Sequence, residues 1–299
     1  MKLKHLVYAA AVVLAAACNE KRAEPERPGN GNKDPEKPEV VTEKPVLPAP
    51  QLRGAWMATV WGIDWPSGKY DEASQKALYI SYLDMYKRLG INTVFFQIRG
   101  MADAYYESAY EPWSRSITGV AGKAPGYDLM NFLIGEAHKR GIEFHAWLNP
   151  YRVSTPSYFS EGLDPKIPEG WVKKYDKMWV YNPALPEVRQ RIADIVKEIV
   201  TKFNVDGIHM DDYFYPSVSN LDDEEDFKKY GSGYSSIKDF RRSNVFEMVK
   251  LVKSTIMSVN PEVAFTIGPQ GNYDNNFNNQ YIDVPKVCAA KLIDAVFPQ

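Results

Sequence analysis

The sequence predicts an α/β protein: a (β/α)8 TIM-type barrel truncated after about six strands. Three observations predict it. From residue 52 onward, short apolar runs alternate with amphipathic helical stretches, which implies a parallel sheet with right-handed crossovers. The long polar and aromatic segments all follow strands, while the links from helix to strand are short, as in a barrel whose site is built from loops at the carboxyl ends of its strands. No glycine-rich phosphate loop follows any strand, which counts against a nucleotide-binding sheet.

The elements follow in order. Arg53–Val60 (RGAWMATV) reads as the first strand, and Glu72–Leu89 as a helix, with Leu78, Tyr82, Leu83, Met85, Tyr86 and Leu89 in helical spacing before the stop at Gly90. Ile91–Arg99 is the second strand, Asp128–Arg140 a helix closed by Gly141, and Ile142–Leu148 the third strand. Glu187–Phe203 is the next helix, Val205–Asp211 the fourth strand, Lys238–Val259 a long helix and Val263–Ile267 the fifth strand. Leu292–Phe297 is the sixth. The expected site-bearing loops are Trp61–Asp71, Gly100–Tyr127, Asn149–Pro186, Asp212–Ile237 and Pro269–Tyr281.

The amino-terminal segments have a different chemistry. Lys2 and Lys4 precede the apolar run Leu6–Ala17, which is too short to span a bilayer and ends in Ala15-Ala16-Ala17 before Cys18. Residues 1–18 therefore read as a lipoprotein signal, with Cys18 as the lipidated residue, although Ala15 stands where Leu is commoner in such a site. Residues 19–51 are rich in Pro, Glu and Lys, with prolines at 25, 28, 35, 38, 45, 48 and 50, a composition too poor in apolar surface to fold. A polyproline II tether at ~3.1 Å per residue is expected there, with the barrel domain at 52–299.

Composition narrows the function. Thirty-six Lys and Arg against 38 Asp and Glu give a net charge of −2, so nothing in bulk favours a nucleic-acid partner. Cys18 and Cys288 are the only cysteines, which excludes a disulfide scaffold and a CxxC zinc site. Seven Trp, 19 Tyr and 13 Phe are more rings than a core of this size needs, and sugars are the first candidate ligand for rings in loops. Trp61, Trp65, Trp113, Trp171 and Trp179 all fall in strand-following loops, where each alone is as well explained by packing.

In a barrel strand alternate residues point inward, and the last inward positions floor the site. If Asp211 of DGIHMDDY faces in, His209 does too, and two adjacent carboxylates should push one pKa upward toward a range useful for acid–base chemistry. Otherwise one of the pair merely caps the loop. The third strand and its loop offer His145, Trp147, Asn149 and Arg152, the second strand Gln97 and Arg99, with Asp103 and Tyr105 just beyond, and the fourth-strand loop Tyr213. A buried Arg99 needs a carboxylate, so a structural pair with a residue such as Asp103 competes with a binding role. His145, His209 and Asp211 could make a two-His-one-carboxylate metal set, but no HExxH occurs, and no metal or cofactor is expected. No GxSxG elbow is present either.

RGAWMATVWGIDWP, FFQIRGMADAYYESAYEPWS, FHAWLNPYRV, YNPALPEVR, DGIHMDDYFYP, DFRRSNV and DAVFPQ together resemble the glycosyl-hydrolase-like family of bacterial exported lipoproteins, which includes the divisome-localised glycosidase acting on peptide-free peptidoglycan. The resemblance runs from about Leu52 to Gln299. It implies a TIM-type barrel and glycoside hydrolysis of a glycan substrate in the cell envelope, and the lipid anchor read from Cys18 is expected in the outer membrane. The family's core continues past a sixth strand, so this chain departs from it by ending there. Two carboxyls of a glycosidase usually sit ~5–5.5 Å or ~6.5–9.5 Å apart, which strand neighbours suit poorly. Asp211 and Asp212 are more similar to the adjacent acids of hexosaminidases in which the sugar's own 2-acetamido oxygen attacks. By that analogy Asp211 orients the acetamide and Asp212 protonates the leaving oxygen. Two other readings stay open: a non-catalytic glycan-binding lipoprotein and a metal-dependent carbohydrate deacetylase.

Overall fold

The computed structural model describes residues 51–154, 163–175, 178–215 and 222–299. The expectations for residues 1–18, for Cys18 and for the tether up to residue 50 lie outside the described residues. The strand–helix alternation resolves into a six-stranded parallel sheet. Its strands are β1 (Gly54–Met57), β2 (Thr93–Arg99), β3 (Glu143–Leu148), β7 (Gly207–Met210), β8 (Ala264–Ile267) and β9 (Ala295–Val296), hydrogen-bonded in that order. Every neighbouring pair is parallel, including β2 with β3 through Phe95↔His145 and Gln97↔Trp147. The sheet curls: Trp56 of β1 meets Phe297, just past β9, at 6.3 Å between ring centroids. These are six successive strands of a TIM-type barrel.

The crossover helices are set by their caps. Asp71 accepts the Ser74 amide at 2.8 Å to start α1 (Glu72–Arg88), and Gly90, at φ +74°, ends the turn after it. Asp128 caps α3 (Leu129–His138), and Gly141 follows at φ +68°. Pro186 opens α4 (Pro186–Lys202), where its missing N–H removes nothing the helix uses. Ser236 caps α6 (Ile237–Val259). The short α8 (Val284–Ala289) lies between β8 and β9, where the sequence offered no helical period, and the sixth strand contracts from Leu292–Phe297 to Ala295–Val296. The first strand also stops early. The Asp64 carboxylate takes the Ala58 amide at 2.7 Å, and Trp61 adopts a left-handed φ of +55°, turning the chain into the loop.

Burial explains why the strands read as nearly continuous apolar runs. Val94, Phe96 and Ile98, with Phe144, Ala146 and Leu148, Ile208 and Met210, and Phe265 and Ile267, form the layer packed under the helices. The alternate positions, Phe95 and Gln97, His145 and Trp147, His209, and Thr266, face the barrel interior and are far more polar. Large and small residues interleave in that interior. A β-carbon on Gly207 would lie 2.4 Å from Nδ1 of His145, and one on Gly54 would lie 2.4 Å from the Phe95 ring.

The loop Asn149–Pro186 is not bare, as the sequence suggested. It carries an antiparallel sheet of β4 (Arg152–Ser154), β5 (Val172–Tyr175) and β6 (Met178–Tyr181), ordered β4-β6-β5. The loop after β2 is bound to this sheet through the Ala102 amide on the Val153 carbonyl at 3.0 Å. It is bound to α4 through Ser108 and the Ala109 amide, both on the Glu198 carboxylate.

Candidate active site

Two chains of amide side chains converge on the end of β7. On the inner side, Oε1 of Gln97 accepts the amides of Thr59 at 2.9 Å and Val60 at 2.8 Å. Backbone N–H groups only donate, so the other end of the Gln97 amide must be its NH2, which donates to Oδ1 of Asn149 at 2.6 Å. Asn149 is thereby oriented with Nδ2 toward Asp211 Oδ2, at 2.5 Å. The second oxygen of Asp211 accepts the Tyr213 amide at 3.2 Å. Asp211 is buried, 3% exposed, and burial pushes its carboxyl up to about 6, with the neighbouring Asp212 adding to the rise and the positive Arg152 opposing it.

On the outer side, Gln270 donates to Oδ2 of Asp212 at 2.9 Å, and its own Oε1 accepts from Asn275. Asn276 clamps the Gln270 backbone by accepting its amide at 3.0 Å and donating to its carbonyl at 2.6 Å. These residues belong to the loop after β8 and its helix α7 (Tyr273–Asn278). Asp212 is only half-buried. Adjacent carboxylates thus occupy unlike settings, one beneath the barrel mouth and one on its rim.

Below Asp211, His209 is fully buried and held neutral, its pKa depressed to about 3 by burial, with His145 adding to the effect. The indole N–H of Trp56 donates to Nε2 of His209 at 3.1 Å. An indole has no acceptor, so the ring proton is on Nδ1, within 2.9 Å of the Thr266 hydroxyl. Both nitrogens of His209 are therefore engaged, and neither is free to ligate a metal.

The other sequence-predicted residues divide. Arg152, 5% exposed, lies 3.9 Å under the ring of Tyr213, which is itself 41% exposed at the mouth. Trp147 faces the interior with its edge toward His209, and its indole N–H has no partner. Arg99, the last residue of β2, is 2% exposed. It forms a buried ion pair with Glu111, its Nε and Nη2 both on the carboxylate (Nη2 at 2.6 Å), while Nη1 donates to the Asn149 carbonyl. The carboxylate that Arg99 needs is thus Glu111 rather than Asp103, and the structural account of Arg99 prevails. Asp103 is buried within its loop, where it accepts the Met101 amide at 3.3 Å. Tyr105 packs into the core, its ring 6.0 Å from Trp65 and 6.1 Å from Phe96. His145 is an interior residue three positions before the end of its strand, 3.4 Å from Glu143 at the strand's entry, far below the mouth.

The five loop tryptophans do not form one platform. Trp65 is fully buried, with its N–H on the Gln75 carbonyl, Trp113, Trp171 and Trp179 are half-buried, and Trp61 alone is openly exposed, at 59%. Sequence reasoning missed Gln270, Asn275, Glu111, Trp56 and Thr266. The one visible signal for the outer relay was the amide-rich run Gln270–Gln280 (QGNYDNNFNNQ) after the fifth strand. Among the described residues no group of three His, Cys, Asp or Glu could hold a metal ion.

Residues 51–299 match the sequence pattern of a family described as Glycosyl hydrolase-like 10. Glycosyl hydrolase YngK of Bacillus subtilis is 39% identical over 273 residues, which is 83% of this chain and 54% of that protein. Glycosyl hydrolase DigH of Escherichia coli K12 is 35% identical over 300 residues, 88% of this chain and 67% of that protein. The chain therefore spans about half the length of the first relative and two-thirds of the second. Among solved structures, the glycoside hydrolase domain of PgaB (BpsB) from Bordetella bronchiseptica superposes with a TM-score of 0.54 at 13% identity, covering 83% of this chain and 73% of that one. An α-L-fucosidase from Paenibacillus thiaminolyticus gives a TM-score of 0.52 at 13% identity, covering 76% and 34%. At such identity these two speak for the barrel fold alone.

Proposed function

The chain belongs to the glycosyl hydrolase-like 10 family, and from that membership we propose that it hydrolyses glycosidic bonds in polymers of N-acetylated sugars, with peptide-free peptidoglycan strands as the substrate. The family and its relatives named as glycosyl hydrolases support a glycosidase-type role. The observation that carries the finer reading is the pair Asp211 and Asp212 in unlike settings at the end of the fourth barrel strand.

A carboxylate whose pKa is about 6 is a stronger proton acceptor than an ordinary aspartate. Asp211, ionised at neutral pH and fixed by Asn149 and the Tyr213 amide, suits the task of holding the N–H of a 2-acetamido group while its carbonyl oxygen attacks the anomeric carbon. Asp212, half-buried on the rim, would protonate the leaving glycosidic oxygen as general acid. The bond from the acetamide oxygen to C1 forms as the bond from C1 to the leaving oxygen breaks. Water then opens the cyclic intermediate, giving up a proton to Asp212. Gln97, Asn149 and Gln270 act through the two aspartates as positioning residues. The deacetylase reading needs a free nitrogen on His209, and the Trp56 and Thr266 contacts leave none.

Export with a lipid on Cys18 belongs to the same reading, since it would hold the barrel in the envelope where such a polymer lies; mass spectrometry of the mature amino terminus tests it. The catalytic claim is tested by incubating the chain with peptide-free glycan strands and measuring new reducing ends. Release that stops in Asp211→Asn and Asp212→Asn supports it. Tight glycan binding with no release would move the reading to a non-catalytic binding protein.

A further inference from the structure

Arg152, beside Tyr213 at the mouth, is a charged group that the proposed hydrolysis does not use. It is 5% exposed, and no carboxylate among the described residues lies within 4.0 Å of it. Its Nε has no hydrogen-bond partner, and among the described residues Nη1 makes a long contact, 3.4 Å, to the Gly100 carbonyl. Burying a guanidinium without a directly paired carboxylate is unfavourable, and Arg99, also deeply buried, has its full bidentate carboxylate. Arg152 also lies close enough to Asp211 to act on its charge without forming an ion pair with it.

A second observation concerns Trp147. Its indole N–H is buried, unpartnered and on the interior face of β3, the strand that precedes the loop carrying Arg152. An indole N–H and an arginine Nε can only donate. A ligand that satisfies both must bring acceptors, and one that satisfies a guanidinium edge best is a carboxylate, whose two oxygens match the planar fork.

We propose that Arg152 is the specificity-determining residue of the site and binds a carboxylate carried by the sugar polymer, so that the substrate is an acidic glycan. The inference rests on the glycan-hydrolase reading above and adds the charge of the substrate to it. Tyr213, stacked on the guanidinium and 41% exposed, is the cover that the incoming acid displaces or tilts. Two sugars supply this chemistry: a muramic-type residue, through its lactyl ether carboxylate, and a hexuronic acid. A lactyl carboxylate joined to a peptide is an amide and no longer an anion, so a site of this kind would accept only strands freed of peptide.

The test measures binding, which does not depend on turnover. The full chain carrying Asp212→Asn is titrated calorimetrically with four oligosaccharides of equal length. One contains N-acetylmuramic acid, the second is its methyl ester, the third alternates N-acetylglucosamine with a hexuronic acid, and the fourth is a neutral N-acetylglucosamine oligomer. The acid is expected to bind about tenfold or more tightly than its ester, with the preference weakened by salt and lost in Arg152→Gln. Preference confined to the muramic compound, or to the hexuronate, identifies the source. Equal binding of acid, ester and neutral oligomer overturns the proposal, and so does binding of none of them. The acid–ester comparison needs no change at Arg152, so a misfolded Arg152→Gln would not blunt it. Turnover of the neutral oligomer with no acid preference would sink this inference and keep the hydrolase. Arg152-dependent binding of acids with no turnover by the unmutated chain would do the reverse.

Discussion

Asp211 and Asp212 are covalent neighbours, yet their surroundings differ in kind. Asp211 is 3% exposed and is held through Asn149 and Gln97, residues that end or sit within barrel strands. Asp212 is half-buried and held through Gln270 and Asn275, both in one loop. The strand-borne relay is anchored at its far end on two backbone amides, while the loop-borne relay is anchored on a short helix within its own loop. The difference teaches that adjacent identical side chains can be given separate tasks when one is mounted on the sheet and the other on what the sheet carries.

The largest expected effect breaks the pair apart. Asp211→Asn and Asp212→Asn should each lower turnover of glycan strands by ~10²–10⁴-fold while leaving the fold intact, because the replacements are nearly isosteric. A glycoside with a dinitrophenolate leaving group, which needs no proton, should restore Asp212→Asn far more than Asp211→Asn. Equal restoration would erase the proposed distinction between the two settings. The same logic gives a pH profile: kcat/KM should fall on the acid side with a midpoint near 6, where Asp211 takes up its proton.

The next effect is on stability. The carboxyl of Asp211 has a folded pKa of about 6 against an ordinary value of 3.8, so it binds its proton first in the folded state. The penalty for burying its charge is therefore fully present above pH 6, shrinks as pH falls toward 4 and is gone below that. About two pKa units correspond to ~3 kcal/mol at most. Asp211→Asn loses one acceptor against two donors, a cost of ~1 kcal/mol. It should thus melt higher than the unmutated chain at pH 8 and no higher at pH 4. Thermal melts at the two pH values decide it.

Smaller effects sharpen the contrast between the relays. Asn149→Ala leaves the buried NH2 of Gln97 without its acceptor and one oxygen of the buried Asp211 carboxylate without its donor, and should cost ~2–3 kcal/mol. It should also raise the acid-side midpoint of the pH profile, since a hydrogen bond that favours the ionised form is gone. Gln270→Ala acts at a half-buried carboxylate that water can reach, and should cost ~1 kcal/mol or less by denaturant titration while lowering turnover. Equal losses at the two positions would mean that strand and loop mounting do not differ in stiffness.

Much of this architecture was legible in the chain because it follows from period and asymmetry. The six parallel strands were readable as apolar runs of the right length, since strands buried on both faces need no alternation. The inward set His209 and Asp211 follows from alternation alone, and so does the set Trp147 and Asn149. What alternation cannot give is the partner of a loop residue. Nothing in the spacing between Arg99 and Glu111 marks that pair, and Asp103, closer in sequence, was the natural guess. Gln270 and Asn275 have no period because loop amides are placed by turns. The tryptophan count misled for a related reason. Position after a strand does not fix exposure, and Trp65 turned inward to reach the Gln75 carbonyl.

The glycines of the interior carry a consequence for how such a chain drifts over generations. At Gly207 a single added carbon would collide with the His145 ring, and at Gly54 with the Phe95 ring, so each small residue is matched to one large residue on the neighbouring strand. Neither member of such a couple can change freely. Enlarging Gly207 is tolerable only after His145 has shrunk, and shrinking His145 first leaves a hole that costs stability until Gly207 fills it. Related chains should accordingly hold these positions as linked pairs, glycine with ring or alanine with a smaller partner, and rarely as mixtures. A double substitution such as Gly207→Ala with His145→Val would be milder than the sum of its parts.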